Sequence, residues 1–529
     1  MSYDEPWVER ALTSLSLEAR VGQMMMVGFG GLAAPPHVLE WLAAGRAGSV
    51  VLFARNVASP AQVADLTASL RAAAPLPILI CVDQEGGIVA RLRHPFTESP
   101  GNMALGAANS PELAGRMAHT LAREMRAVGI DWDLAPCVDV LSDPRNPAIG
   151  ARSLGADPDR VAELGAALVQ GIQSAGVAAC AKHFPGHGDT ATDSHLDLPT
   201  ITTDLARLRA VDLKPFAAAV KAGVASVMAA HIRFPALDRR YPATLSPAIL
   251  IGLLREELGF EGVVTTDCME MKALADRYGA GESTVLAALA GADSIVHSHT
   301  RARQEEAYTA MLDAARSGRL PEARIAASAR RLLALKDRFV RRACAVPLEE
   351  VGSEAHRSIS AEAARRGLTL IRGRLPSPDA RRRVTLIEFS FVMGSQAEER
   401  RAATQLGAEM AARFPDLTHL ALPSSAPPAD DMARARQLAR DADLLIVATR
   451  SAHLNPEQRR LAAELLAAGA KERVLLCLRN PWDAAALAEA DNVLATLGDA
   501  RPSLAAAADA LAGDCAPSGQ LPVPLALEI

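Results

Sequence analysis

This 529-residue chain has no long uncharged apolar run, no CxxC pair and no excess of basic residues. Each absence removes a class of protein. Without an apolar segment long enough to cross a bilayer, no membrane-spanning helix is expected. Lys and Arg number 56 against 61 Asp and Glu, a net charge of -5, which argues against a nucleic-acid groove or a polybasic membrane patch. The seven cysteines (Cys81, Cys137, Cys180, Cys268, Cys344, Cys477, Cys515) are scattered and odd in number. Neither a zinc ribbon nor a redox pair is therefore expected. Several sit in strand-like apolar runs, where cysteine behaves as a small hydrophobe. Residues 1–20 carry acids and no apolar core, unlike a secretory signal. The expectation is a reduced, cytoplasmic protein.

Half of the residues are hydrophobic and 22% are charged, the balance of an ordinary globular protein. The length is too great for one core, so two domains are expected. Between residues 21 and 339 short apolar runs alternate with helical stretches. Strands are read at 24–29, 48–53, 78–83, 133–140, 178–183, 226–232, 262–267 and 293–298. Helices are read at 60–73, 112–127, 157–175, 205–222, 247–258 and 301–316, many opening on a capping Ser59, Ser110, Asp157, Asp204 or Ser246. Such alternation implies a parallel sheet with helices outside. Roughly eight units in about 320 residues suit a (β/α)8 TIM-type barrel, here residues 1–340. After a linker at 341–355, residues 356–529 read as a smaller α/β sandwich or doubly wound domain, with strands at 369–371, 384–389, 419–422, 444–449, 474–478 and 492–497. No Gly-rich phosphate fingerprint follows its early strands, so a nucleotide site is not expected.

Barrels of this kind hold their active sites at the C-terminal ends of the strands. Those ends carry Asp83-Gln84-Glu85, Asp139, Lys182-His183, His231, Asp267 and His297-Ser298-His299. One such residue is as well explained as a satisfied polar group; the whole set at equivalent positions signals a site. The densest stretch is Lys182-His183-Phe184-Pro185-Gly186-His187-Gly188-Asp189-Thr190, followed by Asp193-Ser194-His195. Pro185, Gly186 and Gly188 rule out an ordinary helix or strand. The segment reads as a polar loop set on a strand end, where catalytic groups concentrate. Asp267 ends another apolar strand. A carboxylate so placed can attack a carbon that gains positive charge in the transition state, such as an anomeric centre; capping the helix that follows is the alternative. Glu270 is read as a first-turn helix residue, Met269 and Met271 as packing.

Asp83-Gln84-Glu85-Gly86-Gly87, Ile149-Gly150-Ala151-Arg152-Ser153, the long loop with its Asp-x-His, and Thr266-Asp267 resemble glycoside hydrolase family 3 across the whole barrel. Within that family they resemble the bacterial β-N-acetylglucosaminidases that recycle cell wall, the NagZ type. The second domain resembles the family's own more weakly, through residues 361–371 and 519–523. The resemblance implies a retaining, two-step cleavage of terminal N-acetylglucosamine from muropeptides or chitooligosaccharides, with a carbohydrate substrate, no cofactor and no metal. It makes Asp267 the nucleophile and His195 the general acid/base, oriented by Asp193. An imidazole with an intrinsic pKa of about 6.5 can give and take a proton near neutrality, and a neighbouring aspartate can fix its tautomer. Asp83, Arg91, Arg152, Lys182 and His183 transfer as sugar contacts and His231 as a pocket-lining residue, whereas His187 and Asp189 shape the loop. Ile88 departs from the family, which often has arginine there. Because an imidazole repels an anionic acceptor less than a carboxylate does, phosphorolysis stays open as a variant reaction.

Two other classes compete. A metal-dependent barrel hydrolase could draw ligands from His183, His187, Asp193, His195, His297 and His299, although no His-x-His follows the first strand and the only such pair comes at the eighth. A non-catalytic sugar-binding protein or scaffold is the other. With the Asp-x-His loop present, the second domain is expected to shape outer substrate sites or to mediate assembly, so a chain cut near residue 350 would, if it still folds, keep some activity on small substrates.

Overall fold

The computed structural model describes residues 3–190, 198–376, 383–390, 397–398, 405–424 and 427–526. The first domain is built on β1 (Met25–Val27), β2 (Ser49–Leu52), β3 (Leu79–Val82), β4 (Trp132–Asp133), β5 (Cys180–Phe184), β6 (Ser226–Ala229), β7 (Val263–Cys268) and β8 (Ser294–His297). They form one eight-stranded sheet in the order β4-β3-β2-β1-β8-β7-β6-β5. Isolated bridges from Trp132 to Ala178 and from Cys137 to Lys182 join its two ends, which closes the expected (β/α)8 barrel. Every residue of β1, β2 and β3 is buried. Strands covered on both faces must be apolar throughout, which is why they stand out in the sequence as runs. The helices Pro60–Ala73 and Arg301–Arg316 fall where they were read. Ser59, Ser110, Asp157 and Asp204 each accept a hydrogen bond from a first-turn N–H, the interaction that makes them good starts.

Two elements differ from the sequence reading. The strand expected over 133–140 is only Trp132–Asp133. Pro136 has no N–H to continue the ladder, and the chain beyond it touches β5 through the single bridge at Cys137. The helix expected over 205–222 is two pieces, Leu205–Ala210 and Leu213–Lys221, with Asp212 buried at the break.

The second domain holds β9 (Thr369–Arg372), β10 (Val384–Phe389), β11 (Thr418–Leu422), β12 (Leu444–Thr449), β13 (Glu472–Cys477) and β14 (Asn492–Ala495), in the order β11-β10-β12-β13-β14-β9. All neighbours are parallel except β14 and β9. Side chains alternate between its faces. Leu386, Ile446, Leu476 and Leu494 join the apolar cluster of the helix Arg501–Ala512. Ile387, Val447, Leu475 and Val493 join another cluster, which also contains Ile88, Met103, Ala104, Leu141 and Ile149 of the barrel. One apolar core thus runs through the domain boundary. The linker is fastened as well: Arg123 pairs with Glu350, and the buried Glu124 accepts from the N–H groups of Thr97 (2.8 Å) and Gly352 (3.0 Å) and pairs with His356 Nδ1 (2.8 Å). At Gly498 the backbones approach so closely that a Cβ would lie 2.1 Å from the Pro100 carbonyl oxygen.

This shared core argues against a self-sufficient barrel. A chain ended at residue 340 would leave Ile88, Met103 and Ile149 facing water, an exposed apolar patch of the kind that drives association. Such a truncation is expected to aggregate; a soluble, monodisperse fragment in size-exclusion chromatography would contradict this.

Candidate active site

The strand ends converge as barrel geometry requires. A cleft of about 490 Å³ is lined by Phe53 after β2, Asp83 and Glu85 after β3, Leu134 after β4, Lys182 and His183 on β5, Met228 on β6, Asp267 on β7, and Ser298 and His299 after β8. Arg91, Arg152, His187, Glu270 and Ala397 complete the wall with others. Five of the expected sugar contacts, Asp83, Arg91, Arg152, Lys182 and His183, meet here with Asp267. Asp193 and His195 lie outside the described residues, but the loop that leads to them leaves the cleft wall at His187, and Thr190 is buried.

The polar groups form a row of alternating charge. Lys182 Nζ binds Asp83 Oδ1 at 2.8 Å and Glu85 Oε1 at 2.7 Å. Arg152 grips Glu85 with two bonds, Nε to Oε2 at 2.9 Å and Nη2 to Oε1 at 2.7 Å. Arg152 Nη2 also lies 3.2 Å from His183 Nε2, and His183 Nδ1 lies 2.7 Å from Asp139 Oδ2. With Nε2 facing the guanidinium, a donor, Nδ1 carries the proton toward Asp139. Asp139 is the anchor of the loop: it also accepts from the N–H groups of His183 (3.2 Å) and His187 (2.8 Å).

Burial opposes the charges of Glu85, Arg152, Lys182 and Asp139, and their partners overcome it. Burial alone would raise the Glu85 pKa, yet the charges and hydrogen bonds of Arg152 and Lys182 hold it well below the usual carboxylate range. Burial likewise works against the Lys182 ammonium, and Asp83 and Glu85 push its pKa up instead. Asp139 is desolvated but held below its ordinary value by His183. At His187 burial prevails over the pull of Asp139. Burial, followed by the neighbouring His183, pushes His187 down to about 4, which leaves a neutral ring on the cleft wall.

Several residues had a role that the sequence reading did not give them. Glu85 and Asp139 were visible only as strand-end acids; their place as the middle and end of the row needed the fold. Glu270 precedes its expected helix, which starts at Lys272, and its Oε1 accepts from the N–H groups of His299 (2.7 Å) and Thr300 (3.2 Å) instead. It ties the β7 rim to the start of the helix after β8. His231 is not among the residues that line the cleft. It is buried, with Nδ1 2.7 Å from Thr244 Oγ1 and Nε2 3.0 Å from the Cys268 carbonyl, so it braces the strand end beside Asp267. His187 and Asp189 shape the loop, the latter by accepting from Thr203 Oγ1 at 2.6 Å.

The second domain reaches the cleft through Ala397. Arg91 Nη1 donates to the Ala397 carbonyl at 3.0 Å while its Nη2 lies 3.7 Å from Asp83. The next residue, Glu398, is held by two bonds from Arg479 at 3.1 and 2.9 Å, and Arg479 Nε donates to Asp499 at 2.9 Å. Glu398, Arg479 and Asp499 are buried. Ile88, where an arginine was the family habit, packs into the cluster shared by the two domains.

Among the described residues, three donors that could hold a metal lie together: Cys137, Asp139 and His183. Their atoms are already committed. Cys137 Sγ donates to Asp139, and both His183 nitrogens are engaged. His297, from the rival metal set, is buried in the barrel wall with Nε2 2.8 Å from Thr284 Oγ1. The donor set is one for positioning rather than ligation.

The family model for the glycosyl hydrolase family 3 N terminal domain matches residues 16–335, more than half of the chain. The chain belongs to glycoside hydrolase family 3. Beta-hexosaminidase A of Pseudoalteromonas piscicida is 34% identical over 425 residues, 73% of this chain and 71% of that protein. A Beta-hexosaminidase of Stenotrophomonas maltophilia (strain K279a) is 44% identical over 256 residues, 47% of this chain and 76% of its own length. The solved structure of a glycoside hydrolase family 3 beta-N-acetylglucosaminidase from Paenibacillus sp. str. FPU-7 is 39% identical with a TM-score of 0.93, covering 98% of this chain and 100% of that one. This similarity extends over both domains.

Two substitutions test the geometry of this family 3 cleft. Glu85→Gln leaves Lys182 and Arg152 as buried cations without their shared anion, a loss of about 3 kcal/mol. Thermal stability is expected to fall, and kcat/KM on aryl glycosides by roughly 100-fold; retention of parent values would show the row to be dispensable. Arg479→Met frees Glu398 and so the Ala397 carbonyl under Arg91. It is expected to raise KM by about tenfold, the worth of one charge-assisted hydrogen bond, with a smaller change in kcat. Steady-state kinetics separates the two.

Proposed function

We propose that this chain is a retaining, exo-acting β-N-acetylglucosaminidase that removes terminal N-acetylglucosamine from muropeptides or chitooligosaccharides. Asp267 is the nucleophile, His195 the general acid/base and Asp193 its orienting partner. The observation that carries the reading is the position of Asp267. Its carboxylate enters the cleft from the end of β7, with Oδ1 accepting the Cys268 N–H at 2.7 Å, in the same cleft as the Asp83–Lys182–Glu85–Arg152–His183 row. Each sugar hydroxyl can both donate and accept, so a wall of alternating acceptors and donors suits an uncharged polyol. The hexosaminidase relatives and the Paenibacillus structure support the hexosamine as the sugar.

In the first step Asp267 attacks the anomeric carbon as the glycosidic bond breaks, and the His195 imidazolium protonates the leaving oxygen. In the second, His195 takes a proton from water, which attacks the glycosyl–aspartate ester and restores the carboxylate. Lys182, Arg152 and Asp83 hold the hydroxyls. Their fixed charges need no rearrangement as positive charge grows at the ring, which is how preorganised dipoles lower a barrier.

Incubation with a slow fluorinated N-acetylglucosaminide, followed by peptide mass spectrometry, is expected to place the covalent sugar on Asp267. Label on another residue, or inversion at the anomeric carbon of the product, would sink the mechanism. Asp267→Ala should lower kcat by roughly 1,000-fold or more. His195→Ala should slow substrates with poor leaving groups far more than activated phenyl glycosides, because only the former need protonation. Equal losses would reduce His195 to positioning. Sugar 1-phosphate formed in phosphate buffer would favour phosphorolysis over hydrolysis.

A further inference from the structure

Where the expected 205–222 helix breaks, Asp212 turns inward beneath the Lys182–Thr190 segment. It is 3% exposed. Among the described residues no donor reaches either carboxyl oxygen. It precedes the helix Leu213–Lys221, yet makes none of the cap bonds an aspartate usually makes there. Against it lies Gly186, with φ of +142°, where a Cβ would come within 2.8 Å of Asp212 Cβ and 3.0 Å of Oδ1. The carboxyl is therefore the surface on which the Phe184-Pro185-Gly186-His187 turn rests.

The charges facing Asp212 come from each element around it. Asp189 faces it from the loop, Asp139 from the segment after β4, and Arg207 from the preceding helix piece. Lys214, on its own helix, is turned outward to Asp159 at 2.6 Å. An ionised carboxylate with no donor and two like charges nearby is costly in such a place. Burial first, then Asp189 and Asp139, outweigh Arg207 and push the Asp212 pKa up to about 7.

We propose that Asp212 is a positioning residue for the cleft: as an uncharged acid it seats Gly186, and loss of its proton displaces the segment that sets Lys182, His183 and His187 in the cleft wall. The sign follows from the proton balance. The folded chain holds this proton more tightly than the unfolded one, whose aspartates titrate at about 3.9. The stability that the group contributes is complete at acid pH and is lost as pH rises toward neutrality.

The test compares wild type with Asp212→Asn, or with Asp212→Ser should the asparagine not fold, between pH 5.5 and 8.5. Two readouts are taken: the thermal unfolding midpoint, and kcat/KM on an N-acetylglucosaminide with an activated phenol, which does not need the acid catalyst. The wild-type midpoint is expected to fall relative to the variant's as pH rises. Wild-type kcat/KM should drop about tenfold between pH 6 and 8, as one proton is lost, while the variant changes by less than about twofold. Parallel midpoint curves overturn the proposal outright. Diverging midpoints with parallel activity curves also overturn it, because they leave Asp212 a structural acid. Only the activity arm rests on the proposed hydrolysis; the midpoints are read without a substrate, so the two failures are distinguishable.

Discussion

Everything in the cleft depends on one buried carboxylate held between two cations. Glu85 takes Lys182 on one side and Arg152 on the other, with three hydrogen bonds of 2.7–2.9 Å. None of the three ions would be stable alone at this depth, since an isolated buried charge costs several kcal/mol before relaxation. Together they satisfy one another and leave Asp83 and His183 at the two ends of the row. The row is thus a rigid ruler laid between β3 and β5. Whatever hydroxyls it meets encounter fixed charges rather than mobile side chains, which is the condition for electrostatic stabilisation without reorganisation.

The second domain enters this arrangement by the same physics. Arg91 needs an acceptor besides Asp83, and the Ala397 carbonyl supplies it. A carbonyl on an irregular segment would be a poor partner unless its chain were fixed. Arg479 does this by gripping Glu398, one residue away. Apolar continuity through Ile88, Met103 and Ile149 keeps the two sheets in one relation. Cleft and domain boundary are therefore coupled: a change that loosened the shared cluster would reach Arg91 before it reached β7.

The barrel was legible because doubly covered parallel strands must be largely apolar runs, and β1, β2 and β3 read as such. The second sheet was legible for the same reason, with β10 and β12 read to the residue. Asp83, Lys182, His183 and Asp267 were legible because a barrel sends strand-end side chains to one mouth. What was not legible had local as well as distant causes. Pro136 cut β4 short. His231, expected to line the pocket, is buried with its nitrogens beside Thr244 Oγ1 and the Cys268 carbonyl. No local pattern could have joined Arg91 to Ala397, 306 residues away. Asp193 and His195 were marked by the resemblance of their Asp-x-His loop to the family's.

The cleft holds several carboxylates, and their surroundings explain why they are not interchangeable. Both oxygens of Glu85 are donated to by Arg152, and Lys182 holds its pKa low; an anion so committed is a poor nucleophile, because attack would strip it from buried cations. Asp83 is bound to Lys182 and faces Arg91, so it too is stabilised as an acceptor. Glu270 is spent on the N–H groups of residues 299 and 300. Asp267 is half-buried at the end of its strand, and its Oδ1 accepts the Cys268 N–H at 2.7 Å. Forming an ester at Glu85 would therefore uncover two cations, a cost of several kcal/mol. The carboxylates of the row are thus fixed as acceptors by the cations beside them.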